Sequence, residues 1–161
     1  MSDLIKRKSV IKVKNYLNNY GKKINLIVLD NSARTAMDAA NSLNTEVGSI
    51  VKSLLFRDAQ NNYHLCLVSG DKYVSLEKVT SLVNVPIVKA TADECKEFTG
   101  FSIGGVSPIA HDNKPKSIFI DNNLSKYEKV FAAAGHPYVL FGLSYLDLCD
   151  LTKGTEDNII E

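Results

Sequence analysis

Gly100-Phe101-Ser102-Ile103-Gly104-Gly105-Val106-Ser107-Pro108 is the stretch of this 161-residue chain whose residue types and order best suit chemistry. Two adjacent glycines open backbone torsions closed to other residues and let the main chain come close to a ligand. Pro108 fixes φ at the exit. Between them, the N–H groups of Gly105, Val106 and Ser107 can converge on one small concavity. Such a nest suits a carbonyl oxygen or a developing oxyanion. A tight turn with no ligand has the same composition. Ser107 is a candidate nucleophile, but the sequence sets no partner base beside it, and no Gly-x-Ser-x-Gly elbow occurs.

A second feature is Lys52, within Gly48-Ser49-Ile50-Val51-Lys52-Ser53-Leu54-Leu55-Phe56. Period-two alternation sets Ile50, Lys52 and Leu54 on one face of a strand, and Val51, Ser53 and Leu55 on the other. A lysine on a core-facing side is costly unless it meets an anion or reaches a cavity. The same lysine on an edge strand would discourage sheet-to-sheet pairing. A third feature is His136, in Ala132-Ala133-Ala134-Gly135-His136-Pro137. It sits on a turn, where it either lines a pocket or bonds to backbone. His64 and His111 read as structural or exposed. Cys66, Cys95 and Cys149 are widely spaced, odd in number and without a C-x-x-C pair. They make no disulfide framework, and with the scattered histidines they make no zinc pattern. No metal and no cofactor is expected.

Taken together and in this order, the three segments resemble those of the YbaK/prolyl-tRNA synthetase editing-domain family, the free-standing aminoacyl-tRNA deacylases. The IVKSLLF strand is similar to the family's lysine strand. GGVSP is similar to its G-x-x-x-P loop, with Gly104 and Pro108 at the fixed ends. The TGFSIGGVSP and AAAGHP wording is closest to the INS-like, ProXp-type members, and the resemblance runs from about Thr35 to Leu151. It implies a trans-acting deacylase that hydrolyses the ester of a mischarged tRNA, tRNA(Pro) carrying a small non-cognate amino acid. It implies that Lys52 is essential, contacting the phosphate of the terminal adenosine or orienting the ester. The loop from Gly104 through Gly105, Val106 and Ser107 to Pro108 would hold the aminoacyl carbonyl. Water would attack, assisted by the substrate's own ribose hydroxyl. Thr35, Gly135 and His136 are candidates for substrate binding; Thr35 reads equally as a helix cap. The partners implied are the aminoacyl-adenosine end of mischarged tRNA and prolyl-tRNA synthetase. A non-catalytic aminoacyl-tRNA-binding module, or a partner domain of a synthetase complex, is the alternative.

The elements that must position these residues follow from periodicity. Residues 3–20 carry a helical apolar stripe, ended by Gly21. Strands are expected at 24–29, 47–57, 63–69, 117–121, 130–134 and 138–141, with a hairpin loop at 58–62. Helices are expected at 35–43, 75–82 and 144–151. Thr91-x-x-Glu94 has the capping-box form and opens the helix that leads to the glycine loop. Short turns between strands and the lack of a βαβ alternation give an α+β fold with antiparallel or mixed pairing. The family resemblance adds a mostly antiparallel, barrel-like sheet with helices packed around it and a ligand pocket at its mouth.

Composition bounds the rest. The length and a hydrophobic fraction of 45% suit a single domain over residues 1–161. No apolar run approaches the ~18 residues that span a bilayer. No secretory signal is expected after the charged N-terminus, and no attached anticodon-recognition or synthetase segment is expected. A reducing cytoplasm is the expected home. A net charge of +1 does not announce a nucleic-acid binder. The first segment is nevertheless basic (Lys6, Arg7, Lys8, Lys12, Lys14, Lys22 and Lys23) and the tail acidic. The basic helix reads as a solvated face or as a phosphate-backbone contact.

Overall fold

Val10, Val13 and Leu17 return at helical spacing and are all buried, so the N-terminal segment is laid down by one apolar stripe. The computed structural model describes residues 3–30 and 35–161. A 3-10 turn at Leu4–Lys6 precedes the first helix, and Arg7 in extended conformation separates the two. The elements then run α1 (Lys8–Asn18), β1 (Leu26–Val28), α2 (Ala36–Leu43), β2 (Val51–Asp58), β3 (Tyr63–Ser69), α3 (Leu76–Val83) and β4 (Ile87–Lys89). They continue as α4 (Ala92–Thr99), β5 (Ser117–Asp121), β6 (Val130–His136), β7 (Val139–Leu143), α5 (Tyr145–Thr152) and β8 (Thr155–Asp157).

The fold is α+β, with a mixed, mostly antiparallel sheet system and helices packed at its periphery. It is divided more finely than the pattern suggests. One sheet has the order β1-β7-β6, all antiparallel; the other has the order β4-β2-β3-β5-β8. In the second, β2 pairs antiparallel with β3 and β4, while β3–β5 and β5–β8 are parallel. The parallel pairing of β3 with β5 is possible because α3, β4 and α4 lie between them in the chain, giving the crossover room. A parallel bridge between Ile50 and Phe131 ties the two sheets. Val51, Leu55, Leu65 and Leu67 of one sheet share a buried cluster with Ala132, Ala134, Val139 and Phe141 of the other. The α1 stripe and Leu148 of α5 close that cluster.

Helix starts follow side-chain chemistry. Thr35 and Thr91 each form a complete capping box, with Asp38 and Glu94. Ser75 and Ser144 accept from the N–H groups of Lys78 and Asp147. The β2–β3 loop is built on Asp58, which is 3% exposed. Its Oδ1 accepts from the N–H groups of Gln60 (2.8 Å) and Asn62 (3.0 Å). Its Oδ2 accepts from Nε2–H of buried His64 at 2.8 Å. Burial alone would raise the Asp58 carboxyl; the His64, Asn62 and Gln60 bonds outweigh it and hold it well below the usual carboxylate range.

A depressed folded-state value contributes stability above the unfolded value of about 4, and that stability is lost as pH falls below it. Asp58→Ala would strand the buried His64 Nε2–H and undo the two half-buried loop bonds to Gln60 and Asn62, at about 1–3 kcal/mol for a buried donor left unmet. We expect urea unfolding at pH 7 to read a loss of about 3 kcal/mol for Asp58→Ala. The gap between variant and wild type should narrow on acidification below pH 4.

Candidate active site

The glycine loop hangs between two buried anchors, Phe101 (0% exposed) and Ile109 (2% exposed). Upstream, Glu94 caps α4 and also accepts from the Tyr63 hydroxyl (2.7 Å) and Arg57 (2.8 Å), which fastens α4 to the β2–β3 hairpin. Lys12 of α1 reaches across to the carbonyl of Thr99 at 3.1 Å and to Asp112 at 2.8 Å, with its ammonium 4.1 Å from the centre of the Phe101 ring. Downstream, Nε2–H of His111 donates to the Ser107 carbonyl at 2.7 Å. Burial holds the His111 imidazole below its ordinary value, which suits this neutral donor.

Within the loop, Gly105 N–H donates to the Ser102 carbonyl at 3.0 Å, closing a turn. Gly104 has φ +92°, a conformation that L side chains rarely adopt. Gly105 is needed for a different reason: a Cβ there would come within 2.9 Å of both N and Cα of His136. Among the described residues, the N–H groups of Val106 and Ser107 meet no acceptor. The Ser107 residue is fully buried, and its Oγ accepts from Ile109 N–H at 3.4 Å.

Lys52 of β2 stands opposite Val68 of β3. Its ammonium donates to the carbonyl of Lys72 and lies 4.7 Å from the centre of the Tyr73 ring. Burial pushes it below the ordinary lysine value, a shift that Asp71 opposes and Lys89 reinforces.

These parts meet around one cavity of about 250 Å³. Thr35, Lys52, Gly104 and Val106 all line it, on a mostly apolar wall that includes Ile50, Leu54, Ala133 and Leu140. Thr35 does so while its hydroxyl caps α2, accepting from Asp38 N–H at 3.1 Å. Gly105, Ser107, Pro108, Gly135 and His136 lie outside the lining. Gly135 is pressed against α1, its carbonyl accepting from the Ser9 hydroxyl at 2.8 Å. His136 accepts the Tyr138 N–H on Nδ1 at 3.1 Å, and burial lowers its imidazole further from the charged form. The neighbour that reaches the cavity is Pro137.

Ser53 and Cys95 are among the lining residues to which sequence reasoning assigned no role in the site. Ser53 carries a buried hydroxyl with no hydrogen-bond partner among the described residues. Cys95 carries a free thiol that burial pushes up and the Thr99 hydroxyl only partly offsets. A thiol kept protonated is a poor nucleophile. Cys95 follows Glu94, the acidic member of the α4 capping box, on the buried side of that helix. Among the described residues, no group of three or more His, Cys, Asp or Glu side chains is placed to hold a metal ion.

Residues 30–151 match the aminoacyl-tRNA editing domain family. The chain belongs to that family. The editing domain superposes on a crystal structure of a candidate trans-editing enzyme for prolyl tRNA synthetase with TM-score 0.91 and 37% identity. That match covers 96% of this chain and 98% of the other. A hypothetical protein, APE2540, aligns with TM-score 0.85 and 27% identity over 93% of this chain and 99% of its own. An uncharacterized protein of Bacillus subtilis (strain 168), YwhH, is 26% identical over 79% of this chain and 80% of its own length. The proline--tRNA ligase of Thermosipho africanus is 32% identical over 65% of this chain, which spans 18% of the ligase.

The two glycines should respond to substitution for different reasons. Gly105→Ala forces backbone against backbone and is expected to cost about 1–3 kcal/mol, in the range of overpacked cores. Gly104→Ala meets only Pro137 Cγ at 3.4 Å, so its cost is the torsion alone, about 1–2 kcal/mol. Denaturant melts should find both destabilised. Shortening the facing residue with Pro137→Ala should leave the Gly104→Ala penalty unchanged.

Proposed function

We propose that this editing domain hydrolyses the ester joining a small non-cognate amino acid to the terminal adenosine of a mischarged tRNA, tRNA(Pro) in the first instance. The observation that carries this reading is the meeting of Lys52 with Gly104 and Val106 around one small, mostly apolar cavity. The likeness to a candidate trans-editing enzyme for prolyl tRNA synthetase and to part of a proline--tRNA ligase supports the same reading.

The cavity takes the amino-acid side chain. The Lys52 ammonium, held by the Lys72 carbonyl at the cavity wall, orients the ester end through the adjoining phosphate or the ester itself. The unmet N–H of Val106 receives the carbonyl oxygen; Gly105 is excluded as a donor because its N–H is already spent on Ser102. Water adds to the carbonyl carbon, and negative charge grows on that oxygen. Stabilising it by a preset donor is worth about 10²–10³ in rate in other hydrolases. Collapse breaks the bond to the ribose oxygen, which leaves as a hydroxyl after taking a proton from the attacking water by way of the neighbouring ribose hydroxyl. The products are the free amino acid and the tRNA.

A covalent route is disfavoured on this reading. Ser107 is sealed off, Cys95 is held as the thiol, and His136 does not line the cavity. The chain acts as one domain over residues 1–161, with prolyl-tRNA synthetase as the partner that supplies mischarged tRNA. The three free cysteines fit a reducing cytoplasm. No helix among the described residues is long and apolar enough to cross a membrane.

The decisive experiment is a deacylation panel of tRNA(Pro) charged with alanine, serine, threonine, cysteine or 2-aminobutyrate. Turnover of at least one is expected, and binding without turnover would identify a non-catalytic module. Lys52→Ala should lose at least about a hundredfold in kcat/KM while retaining its melting transition, in line with the removal of one preset electrostatic contact. Ser107→Ala keeps every backbone donor and should stay within about tenfold of wild type, roughly 1.4 kcal/mol of barrier. An acyl-enzyme trapped on Ser107 would replace water attack with a covalent mechanism.

A further inference from the structure

Tyr73 is 71% exposed, an unusual fraction for a large aromatic side chain. Its ring nevertheless stands on fixed backbone. The Tyr73 carbonyl accepts from Glu161 N–H at 3.0 Å, and Ser75 N–H donates to the Ile159 carbonyl at 2.7 Å. Val74, between them, forms an antiparallel bridge with Ile160. The strap that makes these contacts is itself anchored, since Ile159 is fully buried and its N–H donates to Asp121 at 2.9 Å.

One side of the ring is taken. The Lys52 ammonium lies over it, 4.7 Å from the ring centre, and donates to the carbonyl of the preceding residue, Lys72, while the Lys52 residue lines the cavity. The exposed remainder of the ring has no aromatic partner among the described residues. An exposed aromatic on anchored backbone, beside a cation that on the deacylase reading meets the reacting end of a nucleic acid, has the makings of a base-stacking platform. The cation meets phosphate or ester, and the ring meets the flat face of a base.

We propose that Tyr73 stacks the terminal purine base of the aminoacylated nucleoside, outside the cavity that takes the amino acid. This rests on the deacylase reading and extends it: the site recognises base, sugar ester and amino acid through three separate surfaces. Tyr73 binds substrate and takes no part in bond breaking, so its effect falls on KM.

The test compares two substrates carrying the amino acid that the wild type removes best: one ends in adenosine, the other in an abasic ribose. On the adenosine substrate, Tyr73→Leu should lower kcat/KM by about 10–100-fold, chiefly through KM, as stacked aromatics do on truncation. Tyr73→Phe should stay within about twofold. On the abasic substrate, wild type and Tyr73→Leu should be equal within about twofold. An equal deficit on both substrates would mean that Tyr73 only props Lys52, and would overturn the proposal. So would a loss in Tyr73→Phe as large as in Tyr73→Leu. A binding measurement stands apart from turnover. Adenosine 5′-monophosphate titrated into the wild type should shift the Tyr73 ring resonances upfield, and unmoved resonances at saturation would also sink the idea. Failure of the wild type to hydrolyse any ester, with the ring shift present, would refute the deacylase reading while keeping the base platform.

Discussion

Close backbone-to-backbone contact is the constraint on which the site depends. Gly105 lies against the main chain of His136, and Gly135 lies against the main chain of Ser9 in α1. The glycine loop, the end of β6 and the first helix are therefore stacked with no side chain between them at those points. Lys12 and the Ser9 hydroxyl then fasten α1 to the same two segments. Because protein interiors behave as close-packed solids, such a stack fixes the loop far more tightly than its own single turn bond would. The loop can then present Gly104 and Val106 to the cavity without being held by a ligand.

This explains why the motif residues divide as they do. Gly105, Ser107, Pro108, Gly135 and His136 all look like chemistry when read as a string of small and polar residues. In the fold they bear the packing, and Gly104, Val106 and Pro137 meet the cavity. Which member of a motif faces inward depends on a tertiary approach, and local sequence carries no record of it. Lys52 is a different case. The residues left it open between a cavity and a strand edge, since a cation in an apolar run suits either, and only the family resemblance favoured the cavity. What could not be read was its second contact, the Tyr73 ring, which comes from the turn after β3.

The fold was legible in proportion to the length of each element. Helices with a Thr or Ser cap and a clear stripe begin where the side chains dictate, and the paired strands 63–69 and 117–121 agree with the pattern to the residue. β4 and β8 were not foreseen. Each has three residues, too few for alternation to register, and β8 is Thr-Glu-Asp, with no apolar residue at all. It is held from outside itself, by the buried Ile159 that follows and by parallel pairing with β5. The separation into two sheets was equally hidden, since period-two patterning tells which face is buried and not which neighbour is bonded.

Alanines contribute to the cavity lining from two separate elements: Ala36 and Ala39 from α2 and Ala133 from β6. Alanine is the smallest residue that still has a Cβ, so nearly every substitution at these positions narrows the cavity. None of the three belongs to the loop or to the lysine strand. The size limit of the chamber is thus set by dials separate from the machinery that would break the bond. Turning one dial by a methyl group shifts discrimination by about 1–3 kcal/mol. A scaffold arranged this way can be re-sieved for a different amino acid by changes on one helix and one strand, with its chemistry inherited intact.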